Sequence, residues 1–187
     1  MVTNKPLKIL LLSNALIMMA EFMIGPIYAL FVEEIGGNLL DASLAGAAFA
    51  ITAGMTVIVS GRFSNKPKLG VNVMVAGYLI IGLGYFFYLF VHSIWALLLA
   101  QVIIGLGEAI YAPAFDGIYS LNLDHNQEGT EWGVWEALRY WVTAIGALLG
   151  GIIVFNFGFD TLFVVLSLFC FLSAVYVLFS KKTLLKH

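Results

Sequence analysis

Long apolar runs alternate with short polar breaks along the whole chain, and six of them approach or exceed the ~20 residues that a helix needs to cross a hydrocarbon core. The first goes from Leu7 to about Val32, interrupted by Glu21 and by Gly25-Pro26. The second runs from Ser43 to Ser60, after an Asp41-Ala42-Ser43 step that suits a helix N-cap. The third covers Leu69 to Val91 and the fourth Ile94 to Ser120. The fifth goes from Trp132 to Phe155, and the sixth from Thr161 to Phe179 with Asp160 available as its cap. In lipid each run is expected to be helical, because a lone strand would leave its backbone groups unpaired. Period-2 alternation of the outer-membrane barrel kind is absent. The pattern thus predicts an all-α membrane protein, one domain over residues 1–187, with six spans at 7–32, 43–60, 69–91, 94–120, 132–155 and 161–179. Lys5 and Lys8 ahead of the first run imitate a secretory signal. The run is about twice the length of a signal's apolar core, however, and leads into Glu33-Glu34-Ile35-Gly36-Gly37, so a retained first helix is expected.

Composition narrows the function classes. Of the 187 residues, 61 % are hydrophobic and 11 % charged, and the mean hydropathy is +0.99. That is far too little polar surface for a water-soluble domain, and the six spans leave no room for a separate catalytic or nucleotide-binding unit. A net charge of -2 offers no basic footprint for nucleic acid. Cys170, the single cysteine, lies inside an apolar run, which excludes an intrachain disulfide and a Cys-rich metal cluster. Gly-x-Ser-x-Gly and His-Glu-x-x-His patterns are missing, and Gly105-Leu106-Gly107 sits in an apolar run without a following Lys-Ser/Thr. No enzyme, cofactor or metal is expected.

Eight of the nine basic residues fall in the N-terminal tail (Lys5, Lys8), the second-to-third connection (Arg62, Lys66, Lys68) and the C-terminal tail (Lys181, Lys182, Lys186). In a six-span topology these lie on one side, so the positive-inside rule puts both termini in the cytoplasm of a cell (inner or plasma) membrane protein. The ninth, Arg139, falls inside the fifth span.

An ionisable group within a span costs at least ~2.5 kcal/mol on insertion scales, which makes Glu21, Glu108, Asp116, Glu136 and Arg139 functional candidates. Glu21 and Glu108 each lie about fifteen residues into their helix, roughly 21 Å from its entry face and so near mid-bilayer. Asn14, Glu21, Pro26 and Tyr28 each precede Gln101, Glu108, Pro113 and Phe115 by the same 87 residues. Both helices therefore read amide, acid, proline, aromatic, with the amide, the acid and the aromatic seven apart on one face. Three spans separate the two starts, so the helices run in opposite directions and the chain reads as a 3+3 inverted repeat. Breaks at Gly25, Pro26 and Pro113 mark the neighbourhood of a binding site, and the two acids, desolvated there, can take up and release a proton. Asn14, Gln101, Tyr28 and Tyr111 would supply polar contacts to a substrate or proton site, while Tyr119 suits an interfacial anchor.

Asp116, Glu136 and Arg139 lie toward the cytoplasmic ends of their spans. Glu136 and Arg139 are three apart and Trp135 stands four before Arg139, which predicts an ion pair with a cation-π contact serving as a cytoplasmic latch or gate. Gly46, Ala50 and Gly54, like Gly146 and Gly150 with Gly151 following, suit close helix crossing. The middle of the membrane holds no basic group to pair a multiply charged anion, and its aromatic side chains suit an amphipathic or cationic solute.

Six helices with both ends inside, a basic second-to-third loop and a 3+3 repeat make the chain resemble one half of a major facilitator superfamily transporter over essentially its whole length. Gly61-Arg62-Phe63-Ser64-Asn65-Lys66 is similar to that family's signature loop, with Asn65 where an Asp is usual and Lys68 where a second Gly is usual; the resemblance implies a gating role for Gly61, Asn65 and Lys66. Gln101-Val102-Ile103-Ile104-Gly105 keeps the glycine of a fourth-helix motif and has Gln101 in place of its Arg. Gly146 to Gly151 is similar to a glycine-rich fifth-helix motif of exporters, without its proline. The resemblance further implies a central cavity lined by the first and fourth helices of two halves. The expected function is secondary active transport of a small solute by alternating access, as a parallel homodimer of half-transporters that couples to protons. The competing expectation is a non-transporting membrane interaction or assembly subunit that pairs with a different half.

Overall fold

A computed structural model describes residues 4–64 and 67–185, and no strand occurs among them. Helix α1 (Lys5–Ile24) passes through a single 3-10 turn, Gly25–Ile27, into α2 (Tyr28–Glu34). Pro26 removes an amide from the ladder there, and Ile27 (φ -110°, ψ 7°) leaves the helical region. Helix α3 (Leu39–Ser64) starts four residues ahead of the expected Ser43. The reason is a reciprocal cap: Asn38 Oδ1 accepts from the amides of Leu40 (2.8 Å) and Asp41 (3.3 Å), and Asp41 Oδ2 accepts from the amide of Asn38 (2.9 Å). Helix α4 (Pro67–Phe87) ends in a second 3-10 turn, Tyr88–Phe90. Helix α5 (Ile94–Leu121) is capped by Ser93, whose Oγ accepts from the amide of Ala96.

The last element, α6 (Glu128–Leu184), is 57 residues long, about 85 Å if it were straight. It is not straight. Gly158 has φ 80° and ψ 174°, a conformation open in practice to glycine alone. Residues 128–157 follow α1 from its start, where Asn4 donates to the carbonyl of Asn122 (2.7 Å) beside the α5–α6 link, up to Gly150, which seats on Met23. Residues 159–184 come back along it. Phe159 and Phe163 pack on Phe31, and further on the Ser173 hydroxyl donates to the carbonyl of Ser13 (2.7 Å). The chain therefore reverses at one residue.

Five helices are long and apolar enough to cross a membrane among the described residues, α6 counted once. Helix α1 packs against both arms of α6, α4 lies between α5 and the 159–184 arm, and α3 leans on α5. The core on these seams holds Leu7, Leu10, Ile17, Met74, Tyr78, Leu97, Phe163 and Leu166, all essentially without exposure. Among the glycines the tightest seat is Gly150, where an added Cβ would run into the carbonyl oxygen of Met23. By contrast, a Cβ at Gly46, Gly54 or Gly151 would meet nothing within 4 Å, so Gly46 and Gly54 of α3 serve no close helix crossing inside this chain. At the α5–α6 link the buried Glu131 carboxylate accepts from the amide of Asp124 (2.9 Å), and its carbonyl accepts from the Tyr119 hydroxyl (2.7 Å), which fixes how α6 leaves α5.

Candidate functional site

Helices α1 and α5 scarcely touch, and between them lies an open cavity of about 280 Å³. Its walls come from helices α1 to α5 and both 3-10 turns. Helix α1 with its broken end contributes Ile17, Glu21, Ile24, Gly25 and Tyr28; α5 contributes Gln101, Ile104 and Glu108; Phe49, Ile81, Tyr85 and Tyr88 close the remaining sides.

Hydrogen bonds from one side chain set the register of the two facing helices. Gln101 Nε2 donates to the hydroxyls of Tyr28 (2.9 Å) and Tyr88 (2.9 Å). Glu21 lies seven residues before Tyr28, and Glu108 seven after Gln101. With the helices antiparallel, two turns down from the same anchor brings both acids to one depth, and both line the cavity. The Gly25–Ile27 turn matters here because it carries Tyr28 out of the regular α1 spiral to reach Gln101.

The other expected residues are placed as follows. Asn14 is 2 % exposed and Tyr111 6 %, and both stand in the core rather than on the cavity wall. Tyr111 packs there on Tyr78, with ring centroids 5.0 Å apart. Gly25 and Pro26 do interrupt a helix, but Pro113 does not: α5 runs through it unbroken. The carbonyl freed four residues earlier belongs to Ala109, and the Ser60 hydroxyl of α3 donates to it, which keeps that carbonyl satisfied in lipid. Glu136 and Arg139 pair as expected, with Arg139 Nε and Nη2 donating to Glu136 Oε2 at 3.0 and 2.8 Å. The aromatic face under Arg139 is that of Tyr140 (4.9 Å to the ring centroid) and not Trp135, which turns inward onto Phe115 and Trp132. Both members of the pair sit on α6, so it ties no two elements together, and the exposed Asp116 takes no part in it. Gly61 is helical within α3; Asn65 and Lys66 lie outside the described residues.

Phe49, Tyr85 and Tyr88 are cavity residues that the apolar pattern did not single out. Tyr88 had one signal: it is an aromatic with a polar tip at the end of a span, where a second hydrogen-bonding partner for an amide is useful.

A family model described as Major Facilitator Superfamily matches residues 10–186. The chain belongs to that superfamily. It is 23 % identical over 170 residues to the multidrug resistance protein MdtG of Enterobacter lignolyticus (strain SCF1), covering 89 % of this chain and 41 % of the relative. It is 29 % identical over 176 residues to the uncharacterized MFS-type transporter YuxJ of Bacillus subtilis (strain 168), covering 91 % and 44 %. The chain thus spans less than half the length of these curated relatives. Among solved structures it superposes on the POT family transporter PepTSo with a TM-score of 0.77 at 16 % identity, covering 96 % of this chain and 38 % of that one. An auto-inhibited POT family peptide transporter gives 0.75 at 13 % identity, covering 95 % and 37 %. These likenesses give the fold. Membership in the superfamily makes this a multi-pass membrane protein of a transporter family rather than an enzyme.

Proposed function

We propose that this chain forms one half of a secondary active transporter for a small solute, with six crossings arranged as a 3+3 inverted repeat and both ends in the cytoplasm of a cell membrane. The reversal at Gly158 supports counting α6 as two crossings, and the positions of Lys and Arg support the orientation. The observation that carries the reading is that Glu21 of α1 and Glu108 of α5, each seven residues from the Tyr28–Gln101 hydrogen bond, line the same cavity. Two carboxyls at that depth exchange protons or meet a cationic group, and the absence of a basic residue among the lining side chains favours an amphipathic or cationic solute.

The cavity is open, and on its exposed side α3 presents Ile51, Met55 and Ile58 beside Gly54, where an added Cβ would meet nothing within 4 Å. We assign that side to a second copy of the chain, related by a two-fold axis along the membrane normal, so that alternating access is a rocking of two parallel halves. In proteoliposomes, a solute found by thermal-shift screening should drive proton movement that Glu21→Gln and Glu108→Gln abolish. Unchanged flux and pH dependence in both variants overturns the assignment of the acids. A different half purifying in one-to-one ratio with this chain would instead establish the assembly-subunit reading.

A further inference from the structure

Apart from the largely buried Tyr85, the lining side chains with polar groups fall at two depths. Glu21 and Glu108 form the deeper tier; Gln101, Tyr28 and Tyr88 form the other, next to the two 3-10 turns. Seven residues of helix separate the tiers on α5, about 10 Å at 1.5 Å per residue. The wall between them is hydrocarbon and ring, with Ile24, Ile104 and Tyr85 among its residues.

The shallower tier is built rather than incidental. Tyr88 is 2 % exposed and held by Phe31 and Phe163, at ring-centroid distances of 5.4 and 4.8 Å, so its hydroxyl has a fixed place. Gln101 gives both amide hydrogens to the tyrosine oxygens. A primary amide has no third hydrogen to donate, so its Oε1 and a phenolic O–H of the tyrosine pair remain open to another partner. One group is an acceptor and the other a donor. In a stretch of wall that is largely apolar, such a pair discriminates between a ligand group that fills both valences and one that fills neither.

We infer that the cavity grips its solute at two points: a positively charged head at Glu21 and Glu108, and a hydroxyl or amide group about two helical turns away at Gln101, Tyr28 and Tyr88, joined by an apolar middle. Gln101 is the specificity-determining residue of this second contact. The inference rests on the cavity being the solute site.

The test uses the purified chain in lipid nanodiscs and calorimetric binding of two matched probe series, n-alkyltrimethylammonium and ω-hydroxyalkyltrimethylammonium ions. Their chains are graded from shorter than the distance between the tiers to longer than it. The terminal hydroxyl should improve affinity about three- to tenfold, as one neutral hydrogen bond does, and only at the lengths that span the tiers. In Gln101→Leu, and separately in Tyr28→Phe, the ratio between hydroxylated and plain probes should fall to about one. A melting curve on each variant confirms that it is folded. A hydroxyl advantage that is absent at every length, or that survives in both folded variants, overturns the second contact while leaving the cavity reading intact. Failure of the plain alkyl series to bind the unaltered chain overturns the cavity reading itself, and this inference with it.

Discussion

Arg139 shows how a charge inside a span can be satisfied locally. Its guanidinium has Glu136 one turn away and the Tyr140 ring beneath it, and both ion-pair side chains are more than a third exposed. A half-exposed pair of this spacing contributes little, so Glu136→Gln should change the melting temperature of the detergent-solubilised protein by no more than ~0.5 kcal/mol of stability allows. Glu21 and Glu108 have no basic residue beside them on the cavity wall, and their loss is expected to appear in transport instead. The spacing of Glu136 and Arg139 was enough to read their pairing from the chain. The choice of Tyr140 over Trp135 was not, because it depends on Trp135 being drawn inward by Phe115, twenty residues earlier.

At the scale of elements, the long apolar helices were legible because hydrocarbon demands long apolar runs whatever their tertiary neighbours. Their ends were less so. Asp41 and Asn38 are both competent caps, and only the reciprocal bond between them decides that α3 begins at Leu39. Pro113 read as a break because the sequence does not show that Ser60 reaches the orphaned carbonyl of Ala109 from another helix. Ser60→Ala should therefore destabilise the protein by about 0.6 kcal/mol and by no more than about 1.7 kcal/mol, measured by unfolding in mixed micelles, the average and the maximum for interhelical hydrogen bonds in membranes. Gly150→Val would force α6 off Met23 and should lower stability by about 1–3 kcal/mol in the same assay, whereas Gly151→Val, with open space around it, should change it far less. The cavity itself was half legible: the 87-residue offset paired Glu21 with Glu108, but nothing in the apolar pattern ties Tyr88 to Gln101, thirteen residues on across a turn.

For the whole molecule the open question of chemistry becomes one of assembly. Cys170, the only cysteine, is buried and silent, so Gly54→Cys gives the chain one exposed thiol on the free face of α3. In native membranes a short bis-maleimide should join two copies through that position and should fail to do so through Leu172→Cys, on the exposed face of the 159–184 arm. Monomer alone in both cases would remove the second copy from the proposal.

Gly158 also bears on how the protein is made. On the proposed six-crossing reading, the two arms of α6 are separated by a single residue, fewer than between any other pair of successive α-helices in the chain. Neither arm can then be laterally released while the other waits in the channel, so the pair should enter lipid as a single hairpin. Lengthening that corner with a flexible insert would uncouple the two insertion events and let the second arm be mis-sorted. Gly158→Ala, which adds about 1–3 kcal/mol of backbone strain at the corner, should show its effect first as a lower yield of correctly inserted protein in a glycosylation-site mapping assay.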